Sequence, residues 1–156
     1  MRVSGLVLLV ALVGCSTKEK APEAAPAAEV APAAAPVAPA AFPAAEAAGK
    51  WTYVAKTLTG DTTLVTAELD ATATADGWML TLPGRKPMPL TVTVSGDSVM
   101  TSTAPFESVL RKGVKTSTTG VLRMSGGKMI GTTTAHYSVK TADSVRIMLA
   151  EATRKP

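Results

Sequence analysis

The chain has 156 residues, a formal charge of +4 and a single cysteine. One cysteine excludes an intrachain disulfide and a cysteine-based metal site. One histidine, with no closely spaced carboxylate cluster, argues against the usual histidine and carboxylate metal centres. The basic residues fall in short scattered pairs, Arg85-Lys86, Arg111-Lys112 and Arg154-Lys155. A nucleic-acid binder would concentrate them in a stripe, often interleaved with aromatics. Ordinary solubilising charge is expected instead, with at most a weak attraction to anionic lipid headgroups.

Met1-Arg2 opens with a positive charge, and Val3–Val13 is an almost unbroken apolar run. That run is too short to span a bilayer as a helix, which takes roughly 20 residues, but it suits the core of a signal peptide. Residues 1–14 are therefore predicted to be an export signal. The run ends in Leu12-Val13-Gly14-Cys15, which resembles the lipobox of bacterial lipoproteins. The resemblance implies cleavage after Gly14, a diacylglycerol on the Cys15 thiol and a further acyl chain on the freed amine. Two or three chains exceed what stable membrane anchoring requires. By the same resemblance, Ser16 in place of an aspartate implies an outer-membrane address, with the domain in the periplasm.

Residues 15–49 are expected to form a disordered tether. Of the residues from Ala21 to Ala48, 16 are alanine and six are proline, and between Pro22 and Pro43 the longest proline-free run is Ala27–Ala31. Helix nucleation is too costly in such pieces, so an extended, partly polyproline-like spacer is expected, with a reach of at most ~90 Å. Phe42 is read as a solvated linker residue.

From Lys50 the composition changes. Twenty-one threonines lie between Lys50 and Pro156, with valine, leucine and aromatics in short runs broken by Gly, Asp and Ser. This is an all-β pattern. Met88–Val94 alternates, with Met88, Leu90, Val92 and Val94 on one face, and Pro89 implies an outer position. Gly126-Gly127 supplies the positive φ values of a tight hairpin. Gly60-Asp61, Asp76-Gly77, Gly96-Asp97 and Ala142-Asp143 mark further reversals. The spacing predicts strands near 50–58, 62–72, 77–82, 88–95, 98–104, 115–124, 128–139 and 143–153. An antiparallel meander of about eight strands must close into a small barrel or barrel-like sandwich to hide its edges. Pro105–Gly113 breaks the rhythm. Phe106, Val109 and Leu110 at helical spacing predict a one-turn helix or irregular crossing over one barrel end, with a short strand from Glu107 to Leu110 as the alternative.

Gly49-Lys50-Trp51 opens the first strand, and Arg146 and Arg154 lie on the last. This resembles the lipocalin and wider calycin pattern. The resemblance implies that an indole closes one end of the barrel and that a late arginine covers it, a stacking with sound physical basis.

No catalytic setting is found. His136 shares a strand with Met129, Thr133, Ala135, Tyr137 and Val139 but has the opposite parity, so it is expected to point outward, and no nucleophile elbow accompanies it. Glu68 and Asp70 are expected on a solvated outer face, opposite Val65, Ala67 and Leu69. Neither an enzyme nor a cofactor is predicted. Two readings remain. The barrel holds a small apolar or amphipathic ligand among Trp51, Tyr53, Trp78, Leu80, Leu90 and Met124, or those side chains fill it and its surface binds an envelope protein.

Overall fold

A computed structural model describes residues 41–156. The readings placed on residues 1–40, the export signal, Cys15 and most of the tether, lie outside the described residues.

The described chain is all-β apart from one helical turn, α1 (Ala44–Ala47). Its strands are β1 (Gly49–Lys56), β2 (Thr63–Ala71), β3 (Met79–Thr81), β4 (Met88–Ser95), β5 (Ser98–Thr103), β6 (Phe106–Glu107), β7 (Lys115–Ser125), β8 (Lys128–Tyr137) and β9 (Val145–Arg154). All pairings are antiparallel. Neighbours in sequence are neighbours in the sheet except β5 and β6, which both pair with β7, and β1 pairs with β9. Eight strands therefore close on themselves, and no central edge is left to template aggregation.

Strand alternation places one parity inside. Trp51 and Ala55 of β1, Ala67, Leu69 and Ala71 of β2, and Met148, Ala150 and Ala152 of β9 are all buried. On β8, Met129, Thr133, Ala135 and Tyr137 face in while His136 is exposed and pairs only with Thr119 Oγ1, at 3.3 Å. Glu68 and Asp70 stand on the outer face in ion pairs with Lys155 and Lys50. Met88, Leu90 and Val92 pack against the core, but Val94, at the end of the same alternation, is 44% exposed. Gly126 and Gly127 have φ of +56° and +75° between β7 and β8, the double left-handed turn that matches strand twist.

Two stretches differ from expectation. Phe42 is buried, not solvated, and its N–H donates to Gly96 O at 2.8 Å. With α1 it packs into the core, so the folded unit takes in residues that their Ala/Pro composition assigns to the tether. The cause is tertiary: a single helical turn, too short to form alone, is held by the barrel it caps. In Pro105–Gly113 the expected irregular crossing is present, whereas the helical turn does not form. Phe106–Glu107 continues the line of β5 along β7, and residues 108–114 then turn irregularly over the barrel mouth. Between the pairs Ser102↔Thr119 and Phe106↔Thr116, one strand holds an extra residue, a bulge placed at Ala104-Pro105 where a donor is missing anyway. Thr118 N–H donates there to Thr103 Oγ1 at 2.9 Å.

Candidate functional site

The meander gives the barrel two unlike ends. Strand β1 runs from Trp51 towards Lys56, so the β1–β2, β3–β4, β6–β7 and β8–β9 connections gather at one end, here the loop end. The β2–β3, β4–β5 and β7–β8 turns share the other, the tryptophan end, where Phe42–Ala48 leads into β1.

At the tryptophan end both indole N–H groups are satisfied locally. Trp51 is fully buried and its Nε1–H donates to Ala47 O at 2.8 Å. Trp78, 1% exposed, does the same with Thr74 O at 2.8 Å. The β1–β9 register sets Arg154 directly across from Trp51, and its guanidinium carbon lies 4.4 Å from the centroid of the Trp51 ring. The same guanidinium donates to Ala48 O at 2.9 Å and to Glu46 O at 2.5 Å, tying α1 to the last strand. Gly49, at φ +133°, runs so close beneath it that a Cβ would sit 2.5 Å from Arg154 Nη1. Arg146, the other candidate for this role, is exposed near the opposite end of β9.

Below this plug the interior is filled. Leu69, Val99, Leu122, Met129 and Ala152 join the two indoles in one core. A second, smaller cluster of Ala55, Ala135, Tyr137 and Met148 lies towards the loop end, covered by Leu110, Val114 and Val139. Between them a cavity of about 60 Å³ remains, lined by Tyr53, Leu80, Leu82, Phe106, Ser108 and Tyr137 among others. Of the residues read as a ligand lining, Tyr53 and Leu80 border this cavity, while Trp51 and Trp78 belong to the sealed end. Leu90 borders only a void of about 20 Å³, and Met124 packs half-buried against the core.

The wall of this interior is partly polar. Thr116 and Thr133 are buried, and Thr133 Oγ1 donates to Thr119 O at 3.2 Å. Burial pushes the Tyr53 phenol above its ordinary pKa, with a Thr133 hydrogen bond drawing it part-way back. The buried Tyr137 hydroxyl has no hydrogen-bond partner among the described residues. Over the Tyr137 ring lies Arg111, 4.3 Å to the centroid, whose Nη2 also contacts Asp143 Oδ2 at 2.6 Å. That contact joins the 108–114 and 138–144 loops. Arg85, in the β3–β4 loop, donates to Glu107 O and joins a third. Sequence periodicity had no means of finding this arrangement, because its members come from three separate connections and the strand ends beside them. No cluster of metal-ligating side chains occurs among the described residues.

No protein-family model matches the chain, and no curated protein or solved structure matches it either.

Proposed function

We propose that this chain is a lipid-anchored protein of the bacterial cell envelope whose calycin-like barrel is a rigid, filled interaction domain. Leu12-Val13-Gly14-Cys15 supports the anchor and the Ala/Pro-rich segment after it supports a spacer. Gly49-Lys50-Trp51 with Arg154 stacked on the indole supports the calycin-like reading. The observation that carries the interaction role is the size of the interior void. About 60 Å³ is far below the roughly 300–1,000 Å³ of sites that enclose small organic ligands. The surface is then what the barrel presents.

Two measurements test this. Fatty-acid labelling in cells followed by membrane fractionation should mark wild type and leave Cys15→Ala unlabelled; equal labelling of both would refute the anchor. Native mass spectrometry of the purified protein should give the mass of the polypeptide and its acyl chains alone.

A second reading is favoured by one observation. The unpartnered Tyr137 hydroxyl borders the cavity beneath an irregular loop, and a buried hydroxyl left unbonded costs about 1–3 kcal/mol. A small amphipathic molecule that bonds it, with the 108–114 loop displaced, would recover that cost. A reproducible bound mass, lost in Tyr137→Phe, would establish this reading in place of the first.

A further inference from the structure

We infer that the loop end is a docking face for an anionic lipid surface. The inference rests on the reading of the barrel as an interaction domain and names what that domain meets. Basic residues far apart in sequence converge there. The four loops carry Arg85, Lys86, Arg111, Lys112 and Lys140 against Asp61 and Asp143, and at the same end Lys115 begins β7 across from Glu107, which ends β6. The three turns of the tryptophan end carry Asp76 and Asp97 and no basic residue. The domain is thus polarised along its axis, with its positive end opposite the end at which Phe42 leads in.

Among the described residues, Lys86, Lys112, Lys115 and Lys140 are exposed and form no ion pair. By contrast, Lys50, Lys128 and Lys155, towards the tryptophan end, are each paired with a carboxylate, as is Lys56 at the loop end of β1, with Glu151. Unpaired lysines keep their full attraction for an external anion, whereas paired ones have spent it within the molecule.

Apolar side chains select a lipid surface over a soluble polyanion. Leu58, in the β1–β2 loop, is 61% exposed, and Val109, in the β6–β7 loop, is 42% exposed. Water-exposed leucine and valine in loops of the end that carries the unpaired lysines match a bilayer interface, where the apolar side chains enter the headgroup region and the ammonium groups meet phosphates. A glycan or polyphosphate chain would reward the lysines and leave the apolar tips in water. The Arg111–Asp143 and Arg85–Glu107 contacts hold three of the loops together, so the face is presented as a unit.

The test uses the chain from Ser16 onward, which keeps tether and barrel and lacks acyl chains. The barrel closes on itself and is sealed by its own α1, so every described contact is retained. Co-sedimentation is measured with vesicles of phosphatidylcholine alone and of phosphatidylcholine mixed with phosphatidylglycerol. Binding is expected only to the mixed vesicles and should fall steeply with added salt. The double variant Lys86→Gln/Lys112→Gln should weaken it roughly thirtyfold, from the usual contribution of a surface lysine. Leu58→Ser/Val109→Ser should weaken it roughly tenfold or more. Lys128→Gln, far from this face, should leave it unchanged. All these positions are exposed, and an unaltered circular dichroism spectrum accompanies each comparison.

Equal binding to both vesicle types, or wild-type binding by both double variants, would overturn the docking face. Binding to heparin without binding to vesicles would overturn it in favour of a soluble polyanion. A bound ligand mass in the native spectrum would overturn the filled-barrel reading while leaving the vesicle result standing, so the two failures are distinguishable.

Discussion

The two ends of the barrel solve opposite problems. At the tryptophan end the two indoles are buried and both indole N–H groups are bonded, Trp51 to Ala47 O of the helical turn and Trp78 to Thr74 O, while Arg154 ties that turn to β9. At the loop end, the second core cluster is smaller, a void remains, the Tyr137 hydroxyl is unbonded among the described residues, and Lys86, Lys112, Lys115 and Lys140 form no ion pair there. Satisfied, buried groups are therefore concentrated at the end where Phe42 leads in, and unsatisfied polar and charged groups at the other. Groups engaged in holding a fold together are not free to make other contacts.

The division is most directly broken at Trp51. Trp51→Ala should cost about 3–5 kcal/mol in a denaturant melt, as expected for a fully buried indole whose cavity cannot collapse between α1 and Arg154. A loss below ~1 kcal/mol would show that the tryptophan end is not the anchor of the fold. Arg154→Met, which keeps the stem but removes the stacking charge and both carbonyl bonds, should cost about 1–2 kcal/mol. At the other end, Tyr137→Phe should be neutral or stabilising by about 1 kcal/mol, because it deletes an unbonded hydroxyl and keeps the ring beneath Arg111. Marked destabilisation would reveal a partner for that hydroxyl.

The same variant leaves Tyr53 as the sole tyrosine. Its folded-state pKa is raised by burial, so the stability that it contributes is complete below about pH 10 and is lost as pH rises beyond that value. Phenolate absorbance should therefore appear together with unfolding, not before it. The smallest effect is at acid pH. Hydrogen bonds from Thr57 and Thr59 hold the Asp61 carboxyl down at about 2. Its contribution is present above about pH 4 and lost as pH falls through about 2. Asp61→Asn should flatten the dependence of Tm on pH across that window by lowering Tm slightly at neutral pH while leaving it unchanged near pH 2.

Much of this division is written in local pattern. The inward parity of Val65, Ala67 and Leu69, the outward turn of His136 and the Gly126-Gly127 hairpin follow from alternation and backbone freedom, so they can be read along the chain. The pairing of Trp51 with Arg154 is legible only as a familiar association of residue types, since its physical cause is the closure of β1 on β9. Phe42 and α1 are hidden by composition, because an alanine-proline stretch looks the same whether or not a barrel end awaits it. The convergence of Arg85-Lys86 with Arg111-Lys112 and Lys140 is hidden more deeply. Each pair is unremarkable alone, and only the alternation of strand direction brings them to one face.

Closure has a consequence in time. The pairs Trp51↔Arg154 to Lys56↔Leu149 join the first strand to the last. A chain that emerges N-terminus first therefore cannot complete the barrel until β9 is free. Until then β1 exposes an unpaired edge, and the Trp51 ring lacks the arginine that covers it. Such long-range closure is slow among small domains, on the order of milliseconds to seconds. That delay keeps the chain open during any passage that requires an extended polypeptide, and the fold locks only once its last strand arrives.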